Sequence, residues 1–105
     1  MMRAVDEINA LARILHGSDA AATQYTFRSL AEHVDEVKAL RDAGDEHWKA
    51  ETLDIMIHAL TLLRRGDVDE KEYEALMMER LARFKEKISL ANAKNGGVDP
   101  WQRRS

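Results

Sequence analysis

Five polar side chains run down one side of an otherwise apolar stretch, ETLDIMIHALTLLRRG. Glu51, Asp54, His58, Thr61 and Arg65 recur at i, i+3, i+7, i+10 and i+14, which on a helix is a single stripe. Leu53, Ile55, Met56, Ile57, Ala59, Leu60, Leu62 and Leu63 cover almost every other direction, so this helix belongs inside the molecule. An ionised carboxylate buried without a partner is strongly unfavourable. Glu51 and Asp54 therefore need cations or strong donors, and no lysine or arginine falls on their face before Arg65. The preceding AEHVDEV adds acid: Glu32 and Glu36 lie one turn apart, flanked by His33 on one side and Asp35 on the other. A short connection around Gly44 packs the two stretches antiparallel and brings the Glu32–Glu36 segment level with Glu51 and Asp54. Four carboxylates then converge in one groove. A divalent cation neutralises them economically, and all-oxygen ligation selects Mg²⁺ or Mn²⁺ over Zn²⁺.

Each residue also has an ordinary reading. Glu32 and Glu36 taken alone are solvated helix-surface residues, and Glu51 suits the first turn of a helix. His58 is most simply a satisfied core histidine, hydrogen-bonded within the bundle or orienting Asp54 one turn away. Asp54 resists such a reading, because aspartate is a poor helix former in mid-helix. The constellation as a whole is explained better by a shared cation than by four separate accidents.

Four helical stretches must position these groups. Glycines stand where helices would stop, at Gly17, Gly44, Gly66 and then Gly96 and Gly97, and the only proline is Pro100. The first stretch runs from about Arg3 to His16, with Val5, Ile8, Leu11, Ala12 and Leu15 at helical spacing and Ile14 widening the face. The second runs from about Ala20 to Ala43 with Asp19 as cap and Phe27, Leu30, Val34, Val37 and Leu40 as its core face. Asp45 caps the third, which ends near Arg65. Asp67 or Asp69 caps the fourth, which runs to about Asn95 on Tyr73, Leu76, Met77, Leu81, Phe84, Ile88 and Ala91. β-branched alternation is absent. The expectation is an all-α protein, an antiparallel four-helix bundle with the third helix central, completed by dimerisation. Residues 1–95 form one helical domain and 96–105 a C-terminal tail in which Trp101 is the one large apolar group.

Composition narrows the function classes. The 105 residues carry a formal net charge of −3, which gives no reason to expect a nucleic-acid polymer as partner. With no cysteine, disulfides and thiolate metal sites are excluded within this sequence, which fits a reducing compartment. No apolar run approaches the roughly 18 residues of a membrane span, and MMRAVDEINALARILHG carries acid inside its apolar pattern, unlike a signal peptide. A cytoplasmic protein is expected.

EHVDEV followed by ETLDIMIH resembles the all-α nucleoside triphosphate pyrophosphohydrolases, the MazG-type enzymes and the phosphoribosyl-ATP pyrophosphohydrolases. That superfamily carries EExxE on one helix and ExxD on the next. Here ExxD is Glu51 and Asp54, and IMIH is similar to the LLYH continuation of the phosphoribosyl-ATP branch, with His58 at the histidine. LTLLRRGDVDEKEYEALMMERL also resembles that branch, and the likeness covers roughly Leu30 to Leu81. With Val34 and Val37 on the family's apolar positions, Glu32 and Glu36 fall on the outer glutamates of EExxE, and His33 replaces the middle one. Three outcomes are open: His33 ligates in its place, Glu32 or Asp35 takes over, or the site is impaired. A one-residue shift would instead pair Glu32 with Asp35, at the cost of turning the valines out of the core.

The resemblance implies Mg²⁺, with Mn²⁺ as substitute, held by Glu32, Glu36, Glu51, Asp54 and His33. A helix-two carboxylate, Glu36 or Glu32, is the base, and His58 stands behind the ligands. Arg28, Lys49, Arg64 and Arg65 are candidates to face phosphates, and Trp48 could stack on a base. The implied reaction cleaves a (deoxy)nucleoside triphosphate to the monophosphate and pyrophosphate, in a homodimer or homotetramer. Two alternatives stand beside it: phosphoribosyl-ATP pyrophosphohydrolysis in histidine synthesis, and a non-catalytic helical oligomerisation module of the same fold. A di-iron carboxylate bundle is disfavoured because no Glu-x-x-His pair occurs.

Overall fold

A computed structural model describes residues 1–94. The tail 96–105, with Trp101, and the end of the expected domain at residue 95 lie outside the described residues. The fold is all-α, as the periodicity implies: α1 (Met2–His16), α2 (Asp19–Asp42), α3 (Trp48–Arg65) and α4 (Glu70–Lys94), with no strand among the described residues.

Local chemistry sets the helix ends. Gly17 and Gly44 adopt left-handed φ values of 88° and 71°, which glycine reaches without a Cβ penalty. After α3 the left-handed residue is Asp67, at φ 61°, rather than Gly66. The cap of α2 is Ser18, whose Oγ accepts from the Ala21 amide at 3.1 Å; the expected cap, Asp19, instead pairs with Arg13 at 2.9 Å. Asp45 caps the turn ahead of α3 by accepting the His47 amide at 2.9 Å, so the helix itself starts at Trp48. Asp69 caps α4 through the Glu72 amide at 2.8 Å.

The chain divides into two compact units, Met1–Val68 and a second beginning at Asp69. In the first unit α1, α2 and α3 pack on one another, each touching the other two, with the most extensive packing between α2 and α3. α4 carries acidic residues Glu70 and Glu72 in its first turn and Lys94 in its last, and none of its described residues is buried, so the expected core face of Leu76, Met77, Leu81, Phe84 and Ile88 is exposed.

The seam of the first unit is polar and small. Its buried apolar residues are Val5, Ala22 and Leu60, beside buried Asn9, Thr26, Ser29 and Thr61. The expected core faces are corrected accordingly. On α1 the inward residues are Val5 and Asn9, while Ile8, Leu11, Ile14 and Leu15 are exposed. On α2 they are Ala22, Thr26 and Ser29, with Phe27 and Val34 exposed. Short side chains let the helices approach closely, and their polar atoms bond across or along the seam. The Asn9 amide donates to the Thr61 carbonyl at 3.1 Å, Thr26 Oγ1 donates to the Ala22 carbonyl at 3.0 Å, and Arg65 Nη1 donates to Thr26 Oγ1 at 2.8 Å. Arg64 ties α3 to α1 through Asp6 at 2.7 Å. The stripe of Glu51, Asp54, His58, Thr61 and Arg65 is buried or half-buried along α3, while Leu53, Met56 and Ile57 stand exposed. No helix among the described residues is long and apolar enough to cross a membrane.

Candidate metal centre

The α2–α3 connection sets the depth of the centre. Gly44 turns the chain and the Asp45 side chain holds the His47 amide, which leaves His47 at the N-terminal edge of α3, one turn before Glu51. His47 Nε2 lies 3.3 Å from Glu51 Oε1. From α2, His33 Nδ1 contacts the other oxygen, Glu51 Oε2, and lies 3.8 Å from Glu36 Oε2. His33 and Glu36 are at i and i+3, so both reach the α3 side of α2. The Glu51 side chain is 13% exposed and that of His33 22%, whereas Glu36 is 55% exposed and forms the open edge. Behind His33 the His58 ring packs at 5.3 Å between centroids.

The charges are coupled. Hydrogen bonds from His33 and Glu36, with the nearby charges of His33 and His47, hold Glu51 below the usual glutamate range despite its burial. The hydrogen bond to Glu51 and the repulsion of its charge push Glu36 up, further aided by desolvation and Glu32 and opposed by His33. The two shifts run in opposite directions, so Glu51 is the more acidic of the pair and Glu36 the more basic. Burial, together with the charges of His33 and Arg65, lowers the His58 pKa against the opposing pull of Asp54.

One ligand atom each from His33, Glu36 and Glu51 lies within 4.8 Å of the others. Ligands on one small divalent ion at about 2.1 Å are at most about 4.2 Å apart, so a cation here would require the three side chains to adjust, with the direct His33–Glu51 contact opening to admit it. A nitrogen and two carboxylates are a donor set that would fit a divalent cation.

Of the expected ligands, the structure brings together His33, Glu36 and Glu51. Glu32 is exposed on α2 and acts on Glu36 only through its charge. Asp35 is also exposed. Asp54 is half-buried one turn along α3, outside the convergent group, so the four-carboxylate groove is instead two carboxylates and an imidazole. Rotation explains this: with Thr26 and Ser29 on the seam, the next inward positions of α2 are 33 and 36, not 32. The residues expected to face substrate are dispersed. Arg28 is exposed, Lys49 pairs with Glu46, and Trp48 lies under the Arg41 guanidinium, 4.8 Å from its ring centroid. Arg65 is fourteen residues from Glu51, about 21 Å of helix, and bonds Thr26. Sequence reasoning missed His47. Its place four residues before Glu51, just after a glycine turn, was the available signal.

Comparisons with known protein families, curated proteins and solved structures find no match to this chain.

Proposed function

We propose that this chain is a metal-dependent nucleotide pyrophosphohydrolase, cleaving a (deoxy)nucleoside triphosphate between the α and β phosphates. One observation carries the reading: His33, Glu36 and Glu51 converge from the two segments whose motifs resemble that superfamily. A divalent cation, Mg²⁺ or Mn²⁺ by that resemblance, supplies charge neutralisation for a polyphosphate and a bound water of lowered pKa. Glu51, kept ionised by His33 and His47, is the anchor for the cation. Glu36, exposed and more basic than an ordinary glutamate, is the better placed of the two α2 carboxylates to accept the proton of an attacking water. Glu32 then contributes negative field at the rim. The uncovered apolar sides of α1 and α3, including Leu11, Ile14, Leu15, Leu53 and Met56, support a homodimer or homotetramer.

The test is release of pyrophosphate from a nucleotide panel that includes phosphoribosyl-ATP, with Mg²⁺ or Mn²⁺. Turnover of one or more nucleoside triphosphates, abolished by Glu51→Gln and Glu36→Gln, is the expected result. Turnover of phosphoribosyl-ATP alone would move the assignment to histidine synthesis. No turnover, with both variants behaving like wild type in every assay, would leave a non-catalytic helical module.

A further inference from the structure

The donor set at this centre is not the one that carboxylate spacing suggests. Its inner position on α2 is held by an imidazole, and His33 Nδ1 is the atom directed at both Glu36 and Glu51. A second imidazole, His47 Nε2, lies 3.3 Å from the other oxygen of Glu51. A third, His58, packs against the His33 ring and limits its reorientation. Three of the four histidines in the sequence are gathered at one end of the α2–α3 seam.

This set discriminates between cations. Mg²⁺ prefers oxygen, dehydrates reluctantly and gains little from an imidazole. First-row transition ions gain from it, in the order Mn²⁺ < Fe²⁺ < Co²⁺ < Ni²⁺ < Cu²⁺ > Zn²⁺. The centre also offers only two carboxylates, with Glu32 turned to solvent and Asp54 outside the group. It therefore lacks the concentration of negative charge that offsets Mg²⁺ dehydration at all-carboxylate sites. We infer that His33, Glu36 and Glu51 form a site selective for a first-row transition ion over Mg²⁺, with His33 Nδ1 as the selecting ligand. The inference rests on the metal-site reading above and specifies its cation.

Co²⁺ is the probe, because nitrogen and oxygen ligation gives it visible absorption. The full chain is titrated with Co²⁺, and Zn²⁺, Mn²⁺ or Mg²⁺ is then used to displace it, with calorimetry in parallel. A single saturable Co²⁺ site is expected, displaced by Zn²⁺ near stoichiometry and retained against a hundredfold excess of Mg²⁺. His33→Glu is expected to invert the preference, weakening Zn²⁺ and strengthening Mg²⁺ by about tenfold each. His33→Gln should weaken Co²⁺ and Zn²⁺ alone, which separates this site from adventitious binding at His16. Circular dichroism checks that both variants fold, and the wild-type competition needs neither. Comparable Zn²⁺ and Mg²⁺ affinities in the wild type, or an unchanged ratio in folded His33→Glu, would overturn the selectivity while leaving a metal site. Absence of saturable binding by any of the four ions would overturn both.

Discussion

Thr26→Val probes the polar seam on which the first unit is built. Thr26 is 1% exposed, and its hydroxyl is the acceptor for Arg65 Nη1 at 2.8 Å. Arg65 Nε is already buried without a partner. The hydroxyl's own donation to the Ala22 carbonyl is dispensable, because a helical carbonyl retains its backbone partner. Valine keeps the shape but strips the guanidinium of its acceptor. Hydrogen bonds to charged groups contribute about 1.5–3 kcal/mol, and Arg65 is only half-buried, so a loss of about 1.5–2 kcal/mol is expected. For a unit of this size that lowers Tm by roughly 6–16 °C. The assay is urea and thermal unfolding of a four-member cycle with Arg65→Met. In the Met background, where no charge remains to be satisfied, Thr26→Val should be nearly neutral. A cost below about 0.5 kcal/mol in the wild type, or the same cost in both backgrounds, would refute the reasoning.

Two further expectations concern the centre and the uncovered faces. Glu36 has a raised pKa in the fold, so its stabilising contribution is full below its unfolded pKa and is lost as pH rises through the raised value; Glu51, lowered, contributes above its unfolded pKa and loses it as pH falls through the lowered one. Without metal, Glu36→Gln, which mimics the protonated acid, should match wild type at acid pH and become the more stable protein as pH rises past the carboxylate range, as read by Tm against pH; a difference independent of pH would contradict the raised Glu36 pKa. In sedimentation the wild type should run as a dimer or tetramer, and Leu15→Lys with Met56→Lys should shift it to monomer, since both side chains are more than half exposed on the first unit; a monomeric wild type would contradict the proposed assembly.

The helices and the left-handed glycine stops at Gly17 and Gly44 were legible because helical period and turn chemistry are local properties of the chain. The inward faces were not. Apolarity pointed to Phe27, Val34, Ile8 and Leu11 as core, but this unit closes on Ala22, Thr26, Ser29, Asn9 and Thr61. A rule that equates apolar with inside works only in one direction: buried positions favour apolar residues, but an apolar residue need not be buried. The polar stripe on α3 was visible, and its seam position follows from the same inversion. For the centre, Glu51, Glu36 and His33 could be named from spacing and resemblance. The exclusion of Glu32 could not, because it depends on a helix rotation set by small residues two turns away. His47 lies just ahead of the helix that carries Glu51, and its spacing of four residues from that glutamate was the one mark of it in the sequence.

On the proposed reading, α2 and α3 hold a cation between His33, Glu36 and Glu51. Thermal unfolding of the wild-type chain and of Glu51→Gln, each with and without Mn²⁺, tests it most directly. An ion present at a hundred times its Kd adds about 2.7 kcal/mol, so the wild-type Tm should rise saturably by roughly 10–20 °C and that of Glu51→Gln should not move. An unchanged wild-type Tm, or an equal rise in both proteins, would contradict the account.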